Sequence, residues 1–135
     1  MNANHIRELS RATLSGSLPF PEIVGKLIAE GVEYYYVDYI TLQIIFYSGR
    51  GGIVQAPLSF ENLPTVAEEF DIAALLAAIL DSQKNDQKFR NFSHRAALAG
   101  VIGYFAFLRG QRVTYLGRQG DQHTEWFPSA KRAEA

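Results

Sequence analysis

The sequence predicts an α+β fold in which one unit, two helices followed by three strands, occurs twice. Four helices then pack on one face of a mainly antiparallel six-stranded sheet. Three observations predict it. Sliding the chain by 69 positions brings Phe20 onto Phe89, Gly31-Val32 onto Gly100-Val101, Tyr35 onto Tyr104 and Gly51 onto Gly120. Lys26 falls on Arg95, Tyr36 on Phe105, Ile44 on Val113 and Phe46 on Tyr115. In both halves apolar residues recur at helical spacing before a Gly-Val pair, and β-rich runs with glycine turns follow it.

In the first half, Ile6, Leu9 and Thr13 share one helical face, and Gly16 followed by Pro19 ends that helix. Pro21 suits the start of a second helix, whose stripe of Ile23, Val24, Leu27 and Ile28 stops at Gly31. In the second half, Asp71 stands as an N-cap before Ile72, Leu75, Leu76, Ile79 and Leu80, an i, i+3, i+4, i+7, i+8 face. The polar connection SQKND leads to a fourth helix with Phe89, Phe92, Ala96 and Ala99 inward and Gly100 as its stop.

Each Gly-Val opens a strand, turn, strand reading: VEYYYVDYITLQIIFYS, then VIGYFAFLRGQRVTYLG. Turns fall at Thr41-Leu42 and at Gly110-Gln111, the latter a two-residue turn with glycine at its first central position. The stretches SGRGG and GRQGD lead to shorter third strands near IVQAP and HTEWF. Residues 1–128 thus read as one domain of two pseudo-repeats, about 1–58 and 71–128, with 129–135 as a flexible tail.

Alternation sorts the strand residues onto two faces. One face, Tyr35, Val37, Tyr39, Ile44 and Phe46 with Tyr104, Ala106, Leu108, Val113 and Tyr115, is the expected helix-covered core. The other holds Tyr36, Asp38, Ile40, Gln43, Ile45 and Tyr47 with Phe105, Phe107, Arg109, Arg112, Thr114 and Leu116. Helices on one side leave this mixed face either to solvent or to a second chain, unless the sheet curls to bury it.

Composition narrows the chemistry. The chain has 135 residues, a formal net charge of -1 and no cysteine. Disulfides, thiolate metal sites and cysteine nucleophiles are excluded, and the lack of cysteine fits a cytoplasmic setting. No global basic field exists to hold nucleic-acid phosphates or an anionic membrane. The most apolar run, from Ala96 to Leu108, is broken by Gly100 and Gly103 and is shorter than the roughly 20 residues of a membrane span.

The chemical motifs are weak. His123-x-Glu125 lacks the P-C-x-x-C partner of a zinc deaminase and a third ligand of any kind, so a solvated strand end is expected. SGRGG has neither phosphate-loop spacing nor a following helix and reads as a hairpin turn. No Ser-His-Asp set shares a mouth. No metal or cofactor is expected. Asp38 is the most informative single residue, because aspartate is a poor strand former and this one sits among aromatics. It reads as a half-exposed charge near a hairpin end, or as a ligand-reading carboxylate beside Tyr36 and Tyr47 with Arg109 or Arg112 as its partner.

The repeated phrases AEGVEYYYVDY and LAGVIGYFAFL, with RVTYLGRQGD and EWFP, resemble small uncharacterised bacterial proteins labelled "phage envelope protein". The resemblance runs from about Phe20 to Pro128 and implies no catalytic residue or cofactor. Its matching residues include Gly31, Val32, Tyr35, Asp38, Gly100, Val101, Tyr104, Val113, Tyr115 and Gly120. Phe107 stands where the second half would match Asp38.

The candidate site is therefore Tyr36, Asp38, Tyr47, Phe105, Phe107, Arg109 and Arg112. The first functional expectation is a non-enzymatic interaction protein that forms a homodimer through the mixed face. The second is a small-molecule-binding or enzymatic domain with a cleft between the halves. The third is a single-strand nucleic-acid binder, favoured by arginines beside Phe105 and Phe107 and opposed by the net charge.

Overall fold

A computed structural model describes residues 1–128 and 130. The tail assigned to 129–135 lies, Ala130 apart, outside the described residues. Within them the repeat is complete. Helix α1 (Ala3–Ser15) matches α3 (Ile72–Lys84), and α2 (Phe20–Ala29) matches α4 (Phe89–Leu98). Strands β1 (Val32–Asp38), β2 (Gln43–Ser48) and β3 (Ile53–Pro57) match β4 (Val101–Phe107), β5 (Arg112–Gly117) and β6 (Gln122–Trp126). Each pair starts and ends 69 positions apart, with no insertion inside the unit.

Local chemistry sets these bounds twice. Asn2 and Asp71 occupy equivalent N-caps, and their side chains accept from the N–H of His5 at 3.1 Å and Ala74 at 3.0 Å. Such a cap is worth about 1 kcal/mol. Gly31 and Gly100 leave α2 and α4 in the left-handed conformation, at φ +87° and +92°. A Cβ at Gly100 would also stand 2.2 Å from the Glu69 carbonyl oxygen. The first hairpin in each half differs from a two-residue turn: residues 39–42 and 108–111 connect the strands, and the left-handed residues are Leu42 and Gln111, not Gly110.

The six strands form one antiparallel sheet in the order β3-β2-β1-β4-β5-β6. The halves meet where β1 pairs with β4, and there Tyr36 lies opposite Phe105, its own counterpart in the repeat. Tyr39 donates to the Ile102 carbonyl and Leu108 to that of Glu33, both at 3.0 Å and equivalent under the repeat. A local two-fold axis thus pierces the sheet at the Tyr36–Phe105 pair.

All four helices lie on one side. The buried core includes Ile6, Leu9, Ile23, Leu27, Leu75, Ile79, Phe92 and Ala96 from the helices. From the strands it takes Tyr35, Val37, Ile44, Phe46, Tyr104, Ala106 and Tyr115. Val113, expected there, is only half-buried. The α3 stripe is narrower than its sequence pattern: Leu75 and Ile79 are buried with Ala78 between them, whereas Ile72, Leu76 and Leu80 are 45%, 40% and 48% exposed. Small Ala78 fits the contact, and the wider stripe falls past the edge of it.

Four of the seven tyrosines, Tyr35, Tyr39, Tyr104 and Tyr115, are core residues. Burial holds each phenol well above its ordinary pKa, and the Tyr39 hydroxyl donates to Ser93 Oγ at 3.0 Å. A phenol with a raised folded pKa keeps its proton where the unfolded chain has begun to lose it. Its contribution to stability is complete below about pH 10 and declines as pH rises further. Urea midpoints should therefore hold steady up to that pH and drop steeply above it; a flat profile through the alkaline range would refute the burial.

The two helix-stop glycines give a paired test. Gly31→Ala should cost about 1 kcal/mol for the left-handed backbone alone. Gly100→Ala should cost clearly more, because of the Glu69 carbonyl. Equal losses in denaturant titrations would contradict the close approach at Gly100.

Candidate functional site

The face opposite the helices is uncovered by any described element, and its middle is aromatic. On the central strands Tyr36 stacks toward Phe105 with ring centroids 4.5 Å apart, and Phe105 stacks on Phe107 at 5.6 Å. Tyr34 reaches Phe107 at 6.0 Å and stacks on Tyr47 at 4.7 Å. Five rings from β1, β2 and β4 thus form one patch, every one of them half-buried. Strand alternation is what gathers them: residues two apart share a face, and antiparallel registry sets Tyr34 against Phe107 and Tyr47.

Backbone constraint shapes the patch at one end. Gly103 has no side chain, and the ring of Tyr36 lies across the space: a Cβ there would be 2.5 Å from Tyr36 Oη and 2.4 Å from the Val37 carbonyl oxygen. Its counterpart in the repeat is Tyr34. Both could not carry rings without displacing Tyr36. One half therefore supplies the bulk, and the other supplies the gap.

The seven expected residues do not form a single cluster. Tyr36, Tyr47, Phe105 and Phe107 do come together. Asp38 lies at the Gly103 end, whereas Arg109 and Arg112 flank the Phe107 end, because β1 and β4 run in opposite directions. Neither arginine is the partner of Asp38. Asp38 Oδ1 instead accepts from the N–H groups of Ile40 at 2.9 Å and Thr41 at 3.1 Å, closing the β1–β2 turn. That is a local structural duty of short polar side chains, and it accounts for a half-exposed charge at the end of the hairpin. The second hairpin has Gly110 where the first has Thr41, and Phe107 makes no such bonds.

Three further residues belong to the face. Tyr34 follows from alternation, but a bulge between Val32 and Tyr34 turns Glu33 toward the same end. Trp126 comes from β6, where Arg112 sits over its ring at 4.0 Å. Glu33, Tyr34, Phe107, Arg109, Gly110 and Arg112 line a shallow open depression of about 580 Å³. Glu33 Oε1 faces Arg109 at 3.5 Å, but the Arg109 side chain is 86% exposed, so the pair holds little energy.

Chemically the face offers stacking surface and two arginine forks, without an activated nucleophile. The pKa of Tyr36 is raised, first by burial and then by the nearby Asp38 carboxylate and Tyr47. The other motifs behave as local structure. Ser48 Oγ accepts from the N–H of Arg50 and Gly52, so SGRGG is a self-capped hairpin turn. His123 Nε2 and Glu125 Oε2 lie 2.8 Å apart, and no group of three His, Cys, Asp or Glu converges among the described residues. The seam between the halves is a hydrogen-bonded ladder, so the cleft expected there is absent from the sheet.

No family model matches the chain, and no curated protein does. No helix among the described residues is long and apolar enough to cross a membrane. The fold and the face define a duplicated α+β domain with one aromatic sheet surface left open.

Asp38→Ala should lose about 1 kcal/mol through the vacated turn bonds, with Asp38→Asn retaining most of it. In the same variants the Tyr36 phenol, followed by NMR, should titrate lower than in the parent while staying above ordinary tyrosine, since burial persists. No loss of stability in Asp38→Ala would contradict the capping role.

Proposed function

We propose that this protein is a non-enzymatic interaction protein whose open aromatic face packs on the same face of a second copy. The observation that carries the reading is the patch of five rings joined by successive ring contacts, with no described helix above it. Contiguous apolar surface of this kind marks an interface, and buried aromatics supply most of the energy in interfaces. Charge supports a copy of the chain as the occupant. Asp38 lies at one end of the face and Arg109 with Arg112 at the other. A two-fold axis running across the strands sets the acidic end of each copy over the basic end of its partner. Face-to-face sheets in such a pair form a sandwich about 10 Å thick. The likeness to the "phage envelope protein" group belongs to the same reading and adds no activity to it.

Light scattering tests this directly. The parent should exceed the 15.1 kDa of one chain. Tyr36→Ser with Phe105→Ser should reduce the mass while the chain still unfolds cooperatively. A parent that stays at one chain's mass at high concentration would overturn the reading, as would a serine variant that keeps the assembly but loses the fold.

A further inference from the structure

The two edges of the sheet are treated differently, and the repeat allows them to be compared position by position. Phe127 donates to the Gln111 carbonyl, and Leu58 to that of Leu42, each at 2.9 Å. Alternation from these bonds turns the N–H and C=O of Gln55 outward on β3, and those of Gln122, Thr124 and Trp126 outward on β6. On β3 the outward edge is protected. Arg7, from α1, donates its Nε–H to the Gln55 carbonyl at 3.1 Å, and Pro57 ends the strand. These are common ways of blocking an added strand.

Among the described residues β6 lacks the equivalents of the Arg7 strap and of the strand-ending proline. Leu76 stands where α1 has Arg7, Thr124 where β3 has Gln55, and Trp126 where β3 has Pro57. A leucine cannot occupy the carbonyl. With Ile72 and Leu80 it leaves an exposed apolar ridge on the flank of α3, at positions where α1 carries Ala3, Arg7 and Arg11. On β6 itself, His123 and Glu125 take the helix-side positions that Val54 and Ala56 fill in the buried first half.

We infer that β6 pairs antiparallel with β6 of a second copy, centred on Thr124. The strand is self-complementary in that register: His123 falls opposite the partner copy's Glu125, Glu125 opposite its His123, and the two Thr124 residues exchange N–H···O=C bonds. Any other register breaks the charge match. The occupant is therefore a second copy of this chain. Directly opposed residues point to one side of a sheet, so both aromatic faces end up on the same side of a continuous twelve-stranded sheet. This joint is separate from the face-to-face packing. Both together close four copies with mutually perpendicular two-fold axes.

Thr124→Pro is the sharp test, because its N–H points away from β5 and proline on an open edge costs no ladder bond. Amide exchange at Thr124, followed with rising concentration of the Tyr36→Ser, Phe105→Ser chain, isolates this joint from the aromatic face. We expect Thr124 protection to grow at least about tenfold with concentration. Thr124→Pro should return that chain to the mass of one copy, and Gln55→Pro on β3 should leave the mass unchanged. Exchange at Thr124 that does not depend on concentration would overturn the inference. So would protection that is lost on truncating the chain after Pro128, since the tail would then be the occupant. Failure of the aromatic-face reading alone would leave Thr124 protection in place.

Discussion

The ladder between β1 and β4 is the constraint on which the rest of the molecule depends. Each half has helices on one side of three strands only, too little to close a core alone. Joining the halves at their first strands gives a six-stranded sheet and lets the helices share one apolar layer. Because the joined strands are antiparallel and equivalent, they meet about a two-fold axis, and Tyr36 must face Phe105. The aromatic patch is a consequence of that meeting. Residues that alternate away from the core in two equivalent strands are brought side by side at the centre of the uncovered face.

The two halves repeat every element boundary, so their differences are informative. Where one carries Tyr34, the other carries Gly103, and the ring of Tyr36 crosses that gap. Where one carries Asp38 as a turn cap, the other has Phe107 and a glycine-bearing turn. Where α1 carries Arg7 over a protected edge, α3 carries Leu76. Duplication makes the scaffold symmetric, and these substitutions give it a ring against a gap, an acidic cap on one hairpin only and an arginine strap on one edge only.

The element order, the Asp71 cap of the third helix and the identity of the core face were readable from the chain because they rest on local signals, whereas the equivalent cap at Asn2 emerged only in the structure. Periodicity, glycine stops and alternation report backbone geometry within a few residues. What escaped depends on long-range placement. The pairing of β1 with β4 decides which residues of the open face touch, so Asp38 looked like a partner for Arg109 until the antiparallel seam put them at opposite ends. The α3 stripe looked five residues wide because periodicity records apolar character, whereas burial depends on what packs against it. Glu33 was missed for a different reason: a bulge breaks the alternation that would have placed it.

The seam can be tested by native-state hydrogen exchange of the amides of Val37 and Tyr104, which alternation from the Tyr39–Ile102 bond places in the β1–β4 ladder. If the halves are one cooperative unit, these amides exchange only through global unfolding, with the denaturant dependence of the whole chain. Exchange through a smaller opening, while amides inside each half remain protected, would show two units merely touching. That result would contradict the account of the fold and of the aromatic face built on it.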